Sequence, residues 1–158
     1  MIDGELSTID GRPALRFQRD LGHSVERVWR AVSVPAELAQ WFPAAVDWVP
    51  AVGESIQTAG MTGIITEVDP PHRLAWTFAG DLYSFDLSEH RGGCRLVFLH
   101  VFTDRSAAAQ FAVGWEAYLT RLEPMLDGTP LSEQDAHQGW DEVRDRYAAR
   151  WGLDQPAG

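Results

Sequence analysis

Residues 12 to 22, RPALRFQRDLG, set Leu15, Phe17 and Arg19 against Arg16, Gln18 and Asp20, an alternation that predicts a strand with one buried side. The period then lengthens. Ser24 stands where a helix cap belongs, and Val25, Val28, Trp29 and Val32 follow at helical spacing. Pro35 ends that helix and suits the first turn of another, from Ala36 to Phe42, with Leu38, Trp41 and Phe42 on one face.

From Ala44 to Thr103 the punctuation changes to Gly, Pro and Asp at short intervals, the signature of an antiparallel meander. The pattern predicts strands over 44–49, 53–58, 61–68, 73–79, 82–90 and 94–103. Leu74, Trp76 and Phe78 alternate clearly on one, and Tyr83, Phe85 and Leu87 on the next. DPPH at 69–72 and RGG at 91–93 supply turns. The last strand, CRLVFLHVFT, is apolar on both faces: Leu96, Phe98, His100 and Phe102 point one way, Val97, Leu99 and Val101 the other.

A long helix is predicted from Ser106 to Leu126, with Phe111, Trp115, Tyr118, Leu122 and Met125 as its stripe and Gly128 and Pro130 at its end. Gly114 on this helix reads as permitting close approach to the sheet. A further helix from Ser132 to Trp151 carries Trp140, Val143, Tyr147 and Trp151 opposite Asp141, Glu142, Asp145 and Arg146. Ser132 with Asp135 makes an approximate capping box. Its apolar stripe is expected to cover Val97, Leu99 and Val101, or a partner subunit. The division is thus a main domain over 1–128 and a helical extension over 129–158 packed on it, its last residues frayed.

Strand, two short helices, meander and long helix follow the order of the helix-grip fold. The stretches SVERVWRAVSVPAELAQWF, GIITEVDPPHRLAWTF, CRLVFLHVF and VGWEAYLTRLEPML closely resemble bacterial proteins grouped with the activator of heat-shock-protein-90 ATPase, in the START-like SRPBCC superfamily. The likeness runs from about Arg12 to Gly128. It implies an α+β helix-grip fold, in which a curved antiparallel sheet wraps a long C-terminal helix and leaves a cavity that in many members receives a hydrophobic molecule. It does not imply one function, because the fold serves lipid carriers, receptors, cyclases and co-chaperone domains alike. Relatives tend to carry threonines where this chain has Val97, Leu99 and Val101, a departure that agrees with an added helix over that face.

Length and composition fit this reading. The chain has 158 residues, 45% of them hydrophobic, including seven tryptophans and seven phenylalanines, enough for one sizeable core. Its formal net charge of −10 opposes a nucleic-acid partner. No apolar run is long enough to span a membrane, and the N-terminus lacks the basic flank and apolar stretch of a signal peptide, so a cytoplasmic protein is expected. A lone Cys94, without a histidine motif, reads as inert at the mouth of a strand, and rules out an internal disulfide. His23, His72, His90 and His137 are scattered without metal-ligand spacing, so no metal and no cofactor are expected.

The candidate cavity wall is Trp41, Phe42, Trp76, Phe78, Phe85, Phe98, Phe102, Phe111 and Trp115, with His100 as the one polar group in an apolar alternation. Each aromatic serves equally as core. A neutral His100 could orient a ligand, act as an acid or base, or be a core histidine satisfied by a carbonyl or tyrosine hydroxyl. Tyr83, Asp86, Glu67 and Tyr118 are its candidate partners, Asp86 alternating outward. Three readings follow: binding of a small hydrophobic molecule; a chaperone-associated or other protein-binding module acting through its surface, for which DEVRDRYAAR on the last helix would be a docking face; and a hydrolase or cyclase using His100. A homodimer through the outer sheet face and last helix agrees with the pattern.

Overall fold

The computed structural model describes residues 4–42, 51–58 and 61–153. Among them, seven strands form one antiparallel sheet in the order β1-β2-β7-β6-β5-β4-β3. These are β1 (Glu5–Ile9), β2 (Arg12–Leu21), β3 (Ser55–Thr58), β4 (Met61–Asp69), β5 (Arg73–Phe78), β6 (Asp81–His90) and β7 (Gly93–Val101). The strand predicted at 44–49 and the tail beyond residue 153 lie outside the described residues.

One device makes three of the hairpins. Asp10–Gly11, Ala79–Gly80 and Arg91–Gly92 each place two successive residues at positive φ, the two-residue turn whose twist matches that of paired strands. The first joins β1 to β2, and β1 was absent from the prediction although its Asp-Gly turn is among the strongest hairpin signals. β4 carries an irregularity between Ile65 and Glu67, which adds to its bend.

Register fixes the two faces. Leu15, His100, Tyr83 and Trp76 form one row across β2, β7, β6 and β5 on the inner face, and Phe17, Phe98, Phe85 and Leu74 form the next. On the outer face the corresponding rows are Arg16, Leu99, Ser84, Ala75 and Gln18, Val97, Asp86, Arg73.

Helix α1 (Val25–Ser33) begins at Ser24, whose hydroxyl accepts from the Arg27 amide at 3.1 Å. It buries Val25, Val28, Ala31 and Val32. The short α2 (Pro35–Leu38) ends earlier than predicted, and the turn after it swings Trp41 inward so that its indole donates to the Ala31 carbonyl at 2.9 Å. Trp41 is fully buried.

The predicted long helix is divided. A 3-10 turn (Arg105–Ala107) leads into α3 (Ala108–Thr120), and α4 (Leu122–Leu126) follows after Arg121. Pro124 supplies the reason, since it has no amide to give and its ring crowds the carbonyl of Thr120. The last helix is likewise two, α5 (Glu133–Ala136) and α6 (Trp140–Arg150), parted at Gly139, which takes the left-handed φ of 74°.

The C-terminal helices do not cover Val97, Leu99 and Val101. They lie on α3, at the inner side of the sheet. The small residues Ala109, Ala112, Val113, Gly114 and Ala117 give α3 a second flat side, and Gly114 faces the Trp140 ring of α6 rather than the sheet; a Cβ at Gly114 would stand at ordinary contact distance from that ring, 3.6 Å. Tyr147, fully buried, fixes the arrangement: its hydroxyl donates to Glu116 Oε1 at 2.6 Å and accepts from the Gly4 amide at 2.9 Å.

Candidate functional site

The inner face and α3 meet in a connected group of rings. Trp41 touches Phe42 and Phe85; Phe42 touches Trp76 and Trp115; Phe98 lies 5.2 Å from Phe85 and 4.5 Å from Trp115, centroid to centroid. Phe102 and Phe111 join through His100. Phe78 packs against the same core. The structure thus brings the sequence-predicted residues together, but at unequal depth. Trp41, Phe85, Phe98 and Phe102 are almost wholly closed from solvent, whereas Phe42, Phe111 and Trp115 keep part of their surface open.

Among the described residues His100 is the one buried ionisable group in this ring cluster, at 1% exposed. Trp115 Nε1 lies 3.0 Å from its Nδ1, and Asp81 Oδ2 lies 2.8 Å from its Nε2. An indole N–H can only donate, so Nδ1 must be the bare nitrogen and Nε2 must carry the proton that it donates to Asp81. One neutral tautomer is selected. Burial lowers the His100 pKa from its ordinary 6.5, with Asp81 opposing and Arg12 assisting the shift. Protonation would also set two donors, Nδ1–H and the indole N–H, against each other.

Neither partner was among the predicted ones. Tyr83 instead stacks on the imidazole at 4.4 Å and on Trp76 at 5.5 Å, while Asp86 and Glu67 turn outward to Arg73. Asp81 was legible in principle, two residues before Tyr83 and therefore on the same face of β6. With both nitrogens engaged, the imidazole has no lone pair free to take a proton from a substrate. It holds Trp115, and through it the middle of α3, at a fixed distance from the sheet.

Beside this relay the surface opens. Tyr83, Gln110, Phe111, Gly114, Trp115 and Tyr118 line an apolar depression of about 300 Å³ between β6 and α3. Burial raises the pKa of the Tyr83 phenol, with the Asp81 charge adding to it, and that of Tyr118 rises to about 12 from burial and its 2.7 Å bond to Glu133. Both phenols are neutral at physiological pH. A more polar cleft of about 390 Å³ separates α3 from α5 and α6, with Arg19, Glu116, Asp135 and Trp140 among its walls.

Other candidates settle into structural places. Cys94 is buried, not at a mouth, and burial pushes its thiol up to about 11. The charged run on α6 pairs largely within itself, Arg146 with Glu142 at 2.6 Å and Arg144 with Asp141 at 3.3 Å. Among the described residues no group of three or more His, Cys, Asp or Glu is placed to hold a metal ion, and no helix is long and apolar enough to cross a membrane.

The family model for Activator of Hsp90 ATPase homolog 1-like protein matches residues 23–127. Among solved structures, CalU16 from Micromonospora echinospora is similar at a TM-score of 0.75 and 25% identity, over 92% of this chain and 96% of its own. A conserved protein of unknown function, EF2215 from Enterococcus faecalis, reaches 0.78 at 18% identity, over 96% of this chain and 92% of its own. The Aha1 dimer from Colwellia psychrerythraea reaches 0.65, also at 18%, over 73% of this chain and 97% of its own. The last two likenesses speak to fold alone. No curated protein matches the sequence.

Proposed function

We propose that this chain, which belongs to the family of Activator of Hsp90 ATPase homolog 1-like proteins, binds a small hydrophobic molecule in the depression between β6 and α3. The observation that supports this reading is the set of partly open rings of Tyr83, Phe111, Trp115 and Tyr118 around about 300 Å³ of apolar space, with Trp115 held from behind by His100. Pockets of this size and character suit small molecules, and a rigid wall spares the ordering cost of binding.

The guest enters against neutral groups. Its apolar part meets the rings, and burial contributes about 25 cal/mol per Å² before ordering costs. Gln110 and Tyr118 supply the polar groups of the lining; the Tyr118 oxygen, whose proton goes to Glu133, can accept from a polar group of the guest. Orientation would follow from those two contacts rather than from the imidazole, whose nitrogens are spent on Asp81 and Trp115.

Titration with 1-naphthol, read by tryptophan fluorescence, tests the reading. Phe111→Ala should weaken binding about tenfold, equivalent to roughly 1.4 kcal/mol of lost contact, while the thermal midpoint shows the fold intact. Equal affinity in both proteins, or no fluorescence response at all, would count against this site.

A further inference from the structure

The outer face of the sheet has a feature that the ligand site at α3 does not use. In the row Arg16, Leu99, Ser84, Ala75, two small side chains stand side by side on β6 and β5, between rows that carry Leu82 and Val101 on one side and Arg73 and Asp86 on the other. Small neighbours among larger ones leave a dip. It measures about 420 Å³, and Ala75, Ser84, Leu82, Leu99, Val101 and Arg73 line it.

Its surface is mostly apolar, and the polar groups at its edge are already engaged. Arg73 Nη1 donates to both oxygens of Asp86 at 2.8 Å, and its Nε donates to Glu67. The floor differs. Ser84 is 3% exposed, and among the described residues its Oγ is the one buried side-chain polar atom without a hydrogen-bond partner. A buried hydroxyl left so is unfavourable by about 1–3 kcal/mol, and such atoms are uncommon in folded proteins. Leu82, two residues before Ser84 on the same face of β6, also lines the dip and is 44% exposed.

We infer that this dip is a second binding site, for a small uncharged molecule that is mainly apolar and carries one hydroxyl or carbonyl to pair with Ser84 Oγ. Charge argues against an anion: Arg73 is paired with two carboxylates, Glu67 and Asp86, so that edge of the dip carries net negative charge. A phenol, a cyclic alcohol or a ketone fits the requirement; a sugar, with many groups to satisfy, does not. The site lies on the other side of the sheet from the depression at α3, with which it shares Tyr83 as a lining residue.

Two probes of nearly equal shape test it, 4-fluorophenol and fluorobenzene, followed by ¹⁹F NMR and by methyl spectra in which Leu99 and Val101 are assigned. Both probes should shift those two methyl groups, and 4-fluorophenol should bind several-fold tighter. Ser84→Ala should remove that advantage and leave fluorobenzene unchanged. Ala75→Leu should fill the dip and abolish binding of both, whereas Phe111→Ala, at the α3 site, should leave these shifts as they were. Shifts confined to the residues around Trp115, a phenol advantage that survives Ser84→Ala, or no response of Leu99 and Val101 would each overturn the inference. Should Ala75→Leu fail to fold, Ser84→Ala alone decides.

Discussion

The two faces of one sheet treat a buried polar group in opposite ways. On the inner face His100 stands among aromatic rings with both nitrogens bonded, one to Asp81 and one to Trp115. On the outer face Ser84 stands among aliphatic chains with its oxygen bonded to nothing. The first is a finished interior: its polar group ties the sheet to α3, and large rings fill the space around it. The second is an incomplete surface, in which small residues leave a space and a hydroxyl faces it. A buried polar side chain thus marks architecture when it is satisfied and an absent partner when it is not.

The contrast is broken most forcefully from the inside. Phe98→Ala removes a fully buried ring that touches Phe85, Tyr83 and Trp115, and a loss of about 3–5 kcal/mol is expected in urea unfolding. A loss below about 1 kcal/mol would mean that the ring cluster is loosely filled.

His100→Phe keeps a ring in place but leaves the Trp115 N–H and the Asp81 carboxylate without their partner, for an expected loss of about 2–4 kcal/mol at neutral pH. It also changes the response to acid. Because the folded protein holds the His100 pKa below 6.5, the unfolded chain takes up a proton that the folded one refuses. The stability that this supplies is complete above pH 6.5, declines as pH falls toward the lowered folded value, and is gone beneath it. Urea midpoints collected from pH 7.5 down to 5 should therefore fall more steeply for the native sequence than for His100→Phe. Parallel profiles would contradict the lowered pKa of His100 in the folded protein.

Outer-face changes are smaller, and one has the opposite sign. Ser84→Ala removes a hydroxyl that has no partner and should raise stability by about 1 kcal/mol, seen as a higher thermal midpoint. A lower midpoint would show that the hydroxyl is bonded after all. Arg73→Ala dissolves its pairs with Asp86 and Glu67, both partly solvated, and should alter stability by less than about 1 kcal/mol, with the effect shrinking in high salt.

Much of this was legible in the chain. Alternation at Leu74, Trp76, Phe78 and at Tyr83, Phe85, Leu87 fixed which side chains enter the core, since a period of two permits only one assignment once a face is buried. The same alternation placed His100 inside and Asp86 outside. What escaped were facts of position in space. Trp115 bonds His100 across a sequence gap of 15 residues from a different element, and no pattern along the chain announces that meeting. Asp81 lay within reach of the alternation but beyond the predicted start of its strand.

The C-terminal helix shows a second limit. Its stripe of Trp140, Val143, Tyr147 and Trp151 revealed that it packs, but not on what, because two apolar surfaces competed for it. The choice fell to a detail that periodicity does not carry: the phenol of Tyr147 finds Glu116 and the Gly4 amide. Division of the long helix at Arg121, by contrast, follows from Pro124 and could have been anticipated.

That a small hydrophobic guest sits against Phe111, Trp115 and Tyr118 is tested most directly by native mass spectrometry of protein purified without organic solvent, for the native sequence and for Phe111→Ala, each before and after organic extraction. A discrete mass excess is expected on the native protein, one that extraction removes and that Phe111→Ala retains weakly or not at all. The mass of the bare polypeptide in every sample, or an excess held equally by Phe111→Ala, would contradict it.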